Sequence, residues 1–154
     1  MKQRFDGTAC ATALAALAAM VVLNGCTSFA STHEKRATAL LQPTFGSQTR
    51  GALTFVERPD GVQVSYNFVG LPPDTDQALQ VHERGDCNAV AGDLGNIHAD
   101  SNGVAAGFIV APDVALDGVR SVLGRSVLIH RDGGDPAFPQ HGAGPGLACG
   151  VVRQ

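Results

Sequence analysis

Residues Gly61–Val69 carry the pattern that most restricts the fold: Val62, Val64, Tyr66 and Phe68 alternate with Gln63, Ser65 and Asn67. A period of two places the apolar side chains on one face of an extended segment, as in a half-buried strand and unlike a helix. Pro59-Asp60 separates this strand from a preceding one, Gly51–Arg58, so the two read as a hairpin. Leu71-Pro72-Pro73 ends the run, because proline cannot donate to an interior ladder. The same reading gives strands at Ala37–Gln42, Ala78–Glu83, Leu94–Ala99, Val104–Val110, Ser126–His130 and Leu147–Val152. Eight short strands with no helical periodicity predict an all-β antiparallel sandwich or barrel. The 19 Gly and 8 Pro supply the turns that so many strands need.

The N-terminus reads as an address. Lys2 and Arg4 precede an apolar run of 13 residues, Ala11–Leu23, too short to span a bilayer comfortably but suited to a signal-peptide core. The run ends in Leu23-Asn24-Gly25-Cys26, which resembles a bacterial lipobox, where the cysteine thiol is lipidated and becomes the new N-terminus. Ordinary secretion with cleavage nearby, or an uncleaved anchor, accounts for the same run. All three put the domain outside the cytoplasm. The expected organisation is a signal peptide over 1–25, a polar tether over 26–36 and one domain over 37–154, with a membrane partner through the lipid on Cys26. Without residues 1–25 the chain keeps 9 basic and 13 acidic residues, a formal charge of −4. No basic stripe marks a nucleic-acid partner.

Cysteine arithmetic agrees with export. Cys10 leaves with the signal and Cys26 takes the lipid, so Cys87 and Cys149 remain as a pair for a disulfide in an oxidising compartment.

Three segments carry a family resemblance: Gln80-Val81-His82-Glu83-Arg84-Gly85-Asp86-Cys87, Gly124-Arg125-Ser126-Val127-Leu128-Ile129-His130, and Leu147-Ala148-Cys149-Gly150-Val151. Together with Gly92-Asp93-Leu94-Gly95-Asn96, Asp100-Ser101-Asn102-Gly103-Val104-Ala105 and Leu116-Asp117-Gly118, in this order over residues 37–153, they resemble the copper/zinc superoxide dismutase family. The resemblance implies an eight-stranded Greek-key barrel and the same Cys87–Cys149 bond. It also implies a copper site, with His82 and His130 at two positions of the family's copper histidines and Gln80 in place of a third, a weaker ligand.

Much of the family pattern is missing. The loop that would carry the bridging histidine and further zinc ligands is reduced to Asn88-Ala89-Val90-Ala91-Gly92, so zinc is not expected and Asp93 reads as a turn residue before a strand. Gly146 stands where the family has an arginine that guides superoxide, and Gly134 where it has a supporting aspartate. His141, in the loop after His130, is a candidate third imidazole. His98 alternates with Ile97 and Ala99 and is expected to face solvent, and His33 belongs to the tether. Arg84 and Arg131 are the basic residues nearest the site in sequence.

Three functions follow from this set. The first is an exported lipoprotein holding copper through His82, His130 and His141 with weak or no turnover. The second is an active copper-only dismutase converting superoxide to dioxygen and hydrogen peroxide. The third is a metal-free structural or interaction module. A fold does not choose among them, because chemistry belongs to the site.

Overall fold

A computed structural model describes residues 34–87, 90–134 and 144–154. The chain forms eight strands: β1 (Arg36–Pro43), β2 (Arg50–Arg58), β3 (Gly61–Val69), β4 (Asp76–His82), β5 (Val90–His98), β6 (Ala105–Ala111), β7 (Ser126–His130) and β8 (Gly146–Val151). The one helical element among the described residues is a single 3-10 turn, Gly118–Arg120. Every strand pairing is antiparallel, in the order β5-β4-β7-β8-β1-β2-β3-β6. β5 and β6 are the edges of this order and approach each other, which nearly closes the sheet into a barrel. The β3-to-β4 and β6-to-β7 connections carry the chain from one half of the sheet to the other, a Greek-key path.

The alternation in β3 does what its period requires. Val62, Val64 and Phe68 are buried, and Val62, Gln63 and Ser65 pair in turn with Glu57, Val56 and Thr54 of β2. The hairpin closes at Arg58 opposite Gly61. Gly61 takes φ +141°, and a side chain there would meet the Ala111 backbone, so this corner of the turn requires glycine. The barrel is filled by inward side chains from all eight strands, with Phe55, Phe68, Leu41, Leu53, Leu79, Ile97 and Ile129 among the largest fully buried ones. Truncating such an aromatic to alanine typically costs about 3–5 kcal/mol, so this core is where most of the stability resides.

Most strand ends shift by one or two residues from the sequence reading, and the boundaries of β1 and β5 differ in ways that matter. β1 begins at Arg36, opposite Val56, and the Lys35 carbonyl accepts a hydrogen bond from Glu57 N (3.1 Å). The Lys35 ammonium pairs with Glu57 and Asp117, and Glu34 pairs with Arg36 and Arg58, so the barrel takes up the last residues before Ala37. The larger difference is in β5, which starts at Val90 rather than Leu94. Only residues 88 and 89 lie between Cys87 and this strand, and so short a link brings the following residues directly alongside β4.

Candidate metal centre

β4 turns Leu79 and Val81 into the core, which leaves Gln80 and His82 on the outer face. β7 does the same with Val127 and Ile129 inside and Ser126, Leu128 and His130 outside. The register pairs His82 with Ser126, Gln80 with Leu128, and Leu79 with Ile129. His82 and His130 therefore project from opposite ends of one outer patch, with Gln80 and Leu128 in the row between. Their rings come together nonetheless, with centres 5.8 Å apart and planes 16° from parallel.

An outer face should be wet, yet His82 is 2% and His130 8% exposed. Two segments that leave these strands are pinned back to the barrel nearby. The first is the segment after β4. Buried Ser126 donates from Oγ to the Arg84 carbonyl (2.7 Å) and accepts from Cys87 N (3.2 Å). The expected Cys87–Cys149 disulfide is formed and ties this segment to β8, with the two Cα atoms 6.3 Å apart. The second is the segment after β7. Ala78 N donates to Asp132 O (3.0 Å), Arg131 N to Pro145 O (3.0 Å), and the Asn96 side chain clamps Gly134 by accepting from its N–H (2.9 Å) and donating to its carbonyl (3.0 Å).

The polar atoms of the pair are unevenly satisfied. His130 Nδ1 lies 2.9 Å from the Gly144 carbonyl, and since a carbonyl only accepts, Nδ1 carries the proton. In the neutral ring that leaves a lone pair on His130 Nε2, which is buried and has no partner among the described residues. Both ring nitrogens of His82 are also buried without a partner there. Burial holds the His82 imidazole below the usual histidine range; the neighbouring His130 ring pushes the same way and the Asp86 carboxylate opposes it. Leaving a polar atom buried and unpaired costs about 1–3 kcal/mol, so three at one place call for a ligand. Imidazole nitrogens are suitable donors for copper, and a histidine whose other nitrogen donates to a carbonyl is the common arrangement of a metal-bound ring. The pair therefore fits copper. Among the described residues no three His, Cys, Asp or Glu side chains gather to complete a larger set.

The other expected residues fall as follows. Gln80 is buried beside the pair, on the same face as His82. His141 and Cys26 lie outside the described residues. His98 faces outward as expected, with Nδ1 2.8 Å from the Asp76 carboxylate, while Ile97 and Ala99 are buried. Arg84 and Arg131 are exposed. The expectation that Asp93 precedes its strand is corrected: it lies within β5, opposite Gln80, at a register shift. The reason is the short link after Cys87, which lets Val90 pair with His82 and Gly92 with Val81. Asp93 keeps some turn character, since its Oδ1 accepts from Gly95 N (2.8 Å) across the irregularity, where Gly95 takes φ +117°. Sequence reasoning missed Asn96 as the loop's anchor. Its place in the Gly-Asn step before Ile97 was visible, but nothing in the sequence joins it to Gly134.

At Gly146, a Cβ would sit 2.9 Å from Leu128 Cδ2, so Leu128 occupies the space a side chain would take. A Cβ at Gly134 would be 3.6 Å from Asp93 Oδ2, so an aspartate there would add a like charge next to Asp93.

An antiparallel Greek-key barrel with a buried pair of imidazoles on its outer face defines a class of small, disulfide-bonded β-barrels. The family described as copper/zinc superoxide dismutase (SODC) matches residues 88–152. The chain is 30% identical over 148 positions to a superoxide dismutase [Cu-Zn] of Candida glabrata, covering 76% of this chain and 96% of that protein. It is 31% identical over 150 positions to a superoxide dismutase [Cu-Zn] of Caulobacter vibrioides, covering 76% of this chain and 85% of the relative. A protein of the same description from Yarrowia lipolytica is 31% identical over 141 positions. The chain belongs to the copper/zinc superoxide dismutase family.

Proposed function

We propose that this chain is an exported, lipid-anchored superoxide dismutase-like protein that holds copper through His82 and His130, with weak or no dismutase turnover. The observation that carries the reading is the buried imidazole pair, with His130 Nε2 and both His82 nitrogens unpartnered among the described residues. His141, which lies outside them, is the candidate third ligand. Copper, when bound, supplies the one-electron chemistry by which relatives named superoxide dismutase act on superoxide. The chain's own residues bind and orient: the Gly144 carbonyl holds His130 Nδ1, and burial keeps both rings from bulk water.

Reduced turnover is inferred from three positions. Gln80 offers an amide where the resemblance implies an imidazole. Gly146 offers no cation to draw the anion toward the site, and its side-chain space is taken by Leu128. Only residues 88 and 89 separate Cys87 from β5, too few for a loop bearing a bridging histidine. The N-terminal apolar run and Cys26 motivate the export and anchoring parts of the proposal.

A metal-free module is the second reading, since both rings are placed by strand pairing alone. A copper titration of the purified chain, followed by a superoxide-consumption assay of the loaded protein, separates the possibilities. One copper per chain, lost on His82→Ala or His130→Ala, with slow superoxide consumption is the expected result. Absence of tight binding selects the metal-free module. Binding with rapid consumption selects a copper-only dismutase. Metabolic labelling with a fatty acid, abolished by Cys26→Ser, tests the anchor.

A further inference from the structure

The place where the chain enters the barrel is fixed by charge. The Lys35 ammonium pairs with Asp117 and with Glu57, the latter at 3.3 Å, and Glu34 pairs with Arg36 and Arg58. Asp117 immediately precedes the 3-10 turn Gly118–Arg120, so this turn stands beside the point of entry. Val119, at its centre, is 95% exposed. Arg120 and Arg125 donate to the carbonyls of Pro112 (3.2 Å) and Val119 (3.4 Å), and neither forms an ion pair among the described residues. Their remaining N–H groups suit a phosphate. Asp93 and Asp113 line the same cleft as the two arginines, so charge alone does not select a partner.

The length of the preceding chain says which surface this turn can meet. Cys26 lies eight residues before Glu34, a reach of at most about 28 Å when fully extended. The strand register places Val119 at the end where β1 begins: Arg36 pairs with Val56 near the end of β2, and Val62 at the start of β3 pairs with Ala111, from which the Val119 loop departs. A second exposed apolar side chain, Phe45, follows β1 at the opposite end. The eight residues of β1 span about 26 Å, so seating Phe45 on a membrane that holds Cys26 would take up nearly the whole reach.

We propose that the loop carrying Val119 is a membrane-contact surface: Val119 enters the boundary between headgroups and acyl chains, and Arg120 and Arg125 bind lipid phosphates beside it. The proposal rests on the lipid-anchored reading and adds the face of the barrel that meets the bilayer. From free solution one valine adds only about tenfold to partition. Attachment through Cys26 makes the contact intramolecular, at an effective concentration of about millimolar, which is how a weak contact becomes persistent. His130 pairs with Gly146, and Pro43 with Ala148, so His130 lies toward the end that this orientation turns away from the bilayer.

The test uses the full lipidated chain, with its disulfide formed, in vesicles of phosphatidylethanolamine and phosphatidylglycerol. Val119→Cys and Phe45→Cys variants each carry a nitrobenzoxadiazole label, and nitroxide lipids report depth. Quenching is expected to be at least about threefold stronger at position 119 than at position 45, with a blue-shifted emission at 119 alone. In the unlabelled protein on the same vesicles, exchange at the Val119 and Arg120 amides should be at least about tenfold slower than in Val119→Asp. Val119→Asp changes an exposed side chain, so the barrel's own exchange should match the wild type and the protein should stay attached. An attached protein with a water-exposed label at 119, or with equal quenching at 45 and 119, overturns the proposal and leaves the anchor intact. A chain that carries no lipid on Cys26 and stays off the vesicles overturns the anchored reading and the proposal with it.

Discussion

Breaking the Cys87–Cys149 bond tests both the barrel's stability and the cover over His82. The bond closes a loop with a sequence separation of 62. In the chain-entropy account a loop of this length contributes about 4 kcal/mol by restricting the unfolded chain. One local term reduces this figure. Cys87 has φ +62°, a left-handed conformation that costs a non-glycine residue about 1–2 kcal/mol. Once the bond is gone, Cys87 is free to leave that conformation and recover part of the cost, so the net loss is expected at about 2–3 kcal/mol. The effect on the site is graded along the segment. Arg84 stays tied to β7, because its carbonyl accepts from both N (3.1 Å) and Oγ (2.7 Å) of Ser126. Asp86 and Cys87 lose their link to β8, and His82 gains solvent. Urea unfolding of the oxidised protein and of a Cys87→Ser/Cys149→Ser double variant gives the stability difference by linear extrapolation. Hydrogen exchange at Cys87 and Arg84 reports the local opening. A loss below about 1 kcal/mol, or equal exchange protection in both proteins, refutes the reasoning.

The metal-free protein should lose stability in mild acid through His82. In the fold its imidazole is held below the ordinary value of 6.5, whereas in the unfolded chain it titrates near that value. Below about pH 6.5 the unfolded state therefore takes up a proton that the native state resists. The contribution is complete above that pH and declines as pH falls, with a slope of at most about 1.4 kcal/mol per pH unit. Urea unfolding between pH 5 and 7.5 should show a shallower dependence for His82→Gln, and superimposable profiles would count against the burial argument. Asn96→Ala should cost about 1–2 kcal/mol by removing both hydrogen bonds to Gly134, and should speed exchange at Gly134 N–H while leaving the rest of the barrel protected. His98→Ala breaks an exposed pair with Asp76, so unfolding midpoints should register no more than about 0.5 kcal/mol and copper titrations no change.

The features legible in the sequence were those set by local rules. Alternation in Gly61–Val69, a Pro-Asp corner and proline stops are written into neighbouring residues, so the eight strands and the β2–β3 hairpin could be read directly. The Cys87–Cys149 bond followed from export and from the family motifs, and the outward direction of His98 from its apolar neighbours. What was not legible depends on residues distant in sequence. The start of β5 is decided by the pairing of Val90 with His82, an interaction with β4 that residues 90–93 do not display in their own pattern. The Asn96–Gly134 clamp joins positions separated by 38 residues. That His82 and His130 share one outer face, with Gln80 and Leu128 in the row between, depends on the β4–β7 register. The sequence identified the two histidines, but only the register brings their rings to 5.8 Å on one face.

That register also bears on how a barrel with so short a link after Cys87 keeps a shaped site at all. His82 is the last residue of β4, where a strand would ordinarily fray, yet it is paired on both sides, with Ser126 of β7 and with Val90 of β5. The pairing to β5 exists because residues 90–92 lie in a ladder rather than a loop. Shortening the link thus gives backbone order to His82 at the same place where it leaves no room for further ligands. His130, the last residue of β7, is held in a comparable way by Gly146 of β8 and by its own ring bonding to Gly144. Both rings are therefore placed by ladders and covering segments that require no metal. Such preorganisation costs the protein the burial of ring nitrogens that have no partner among the described residues.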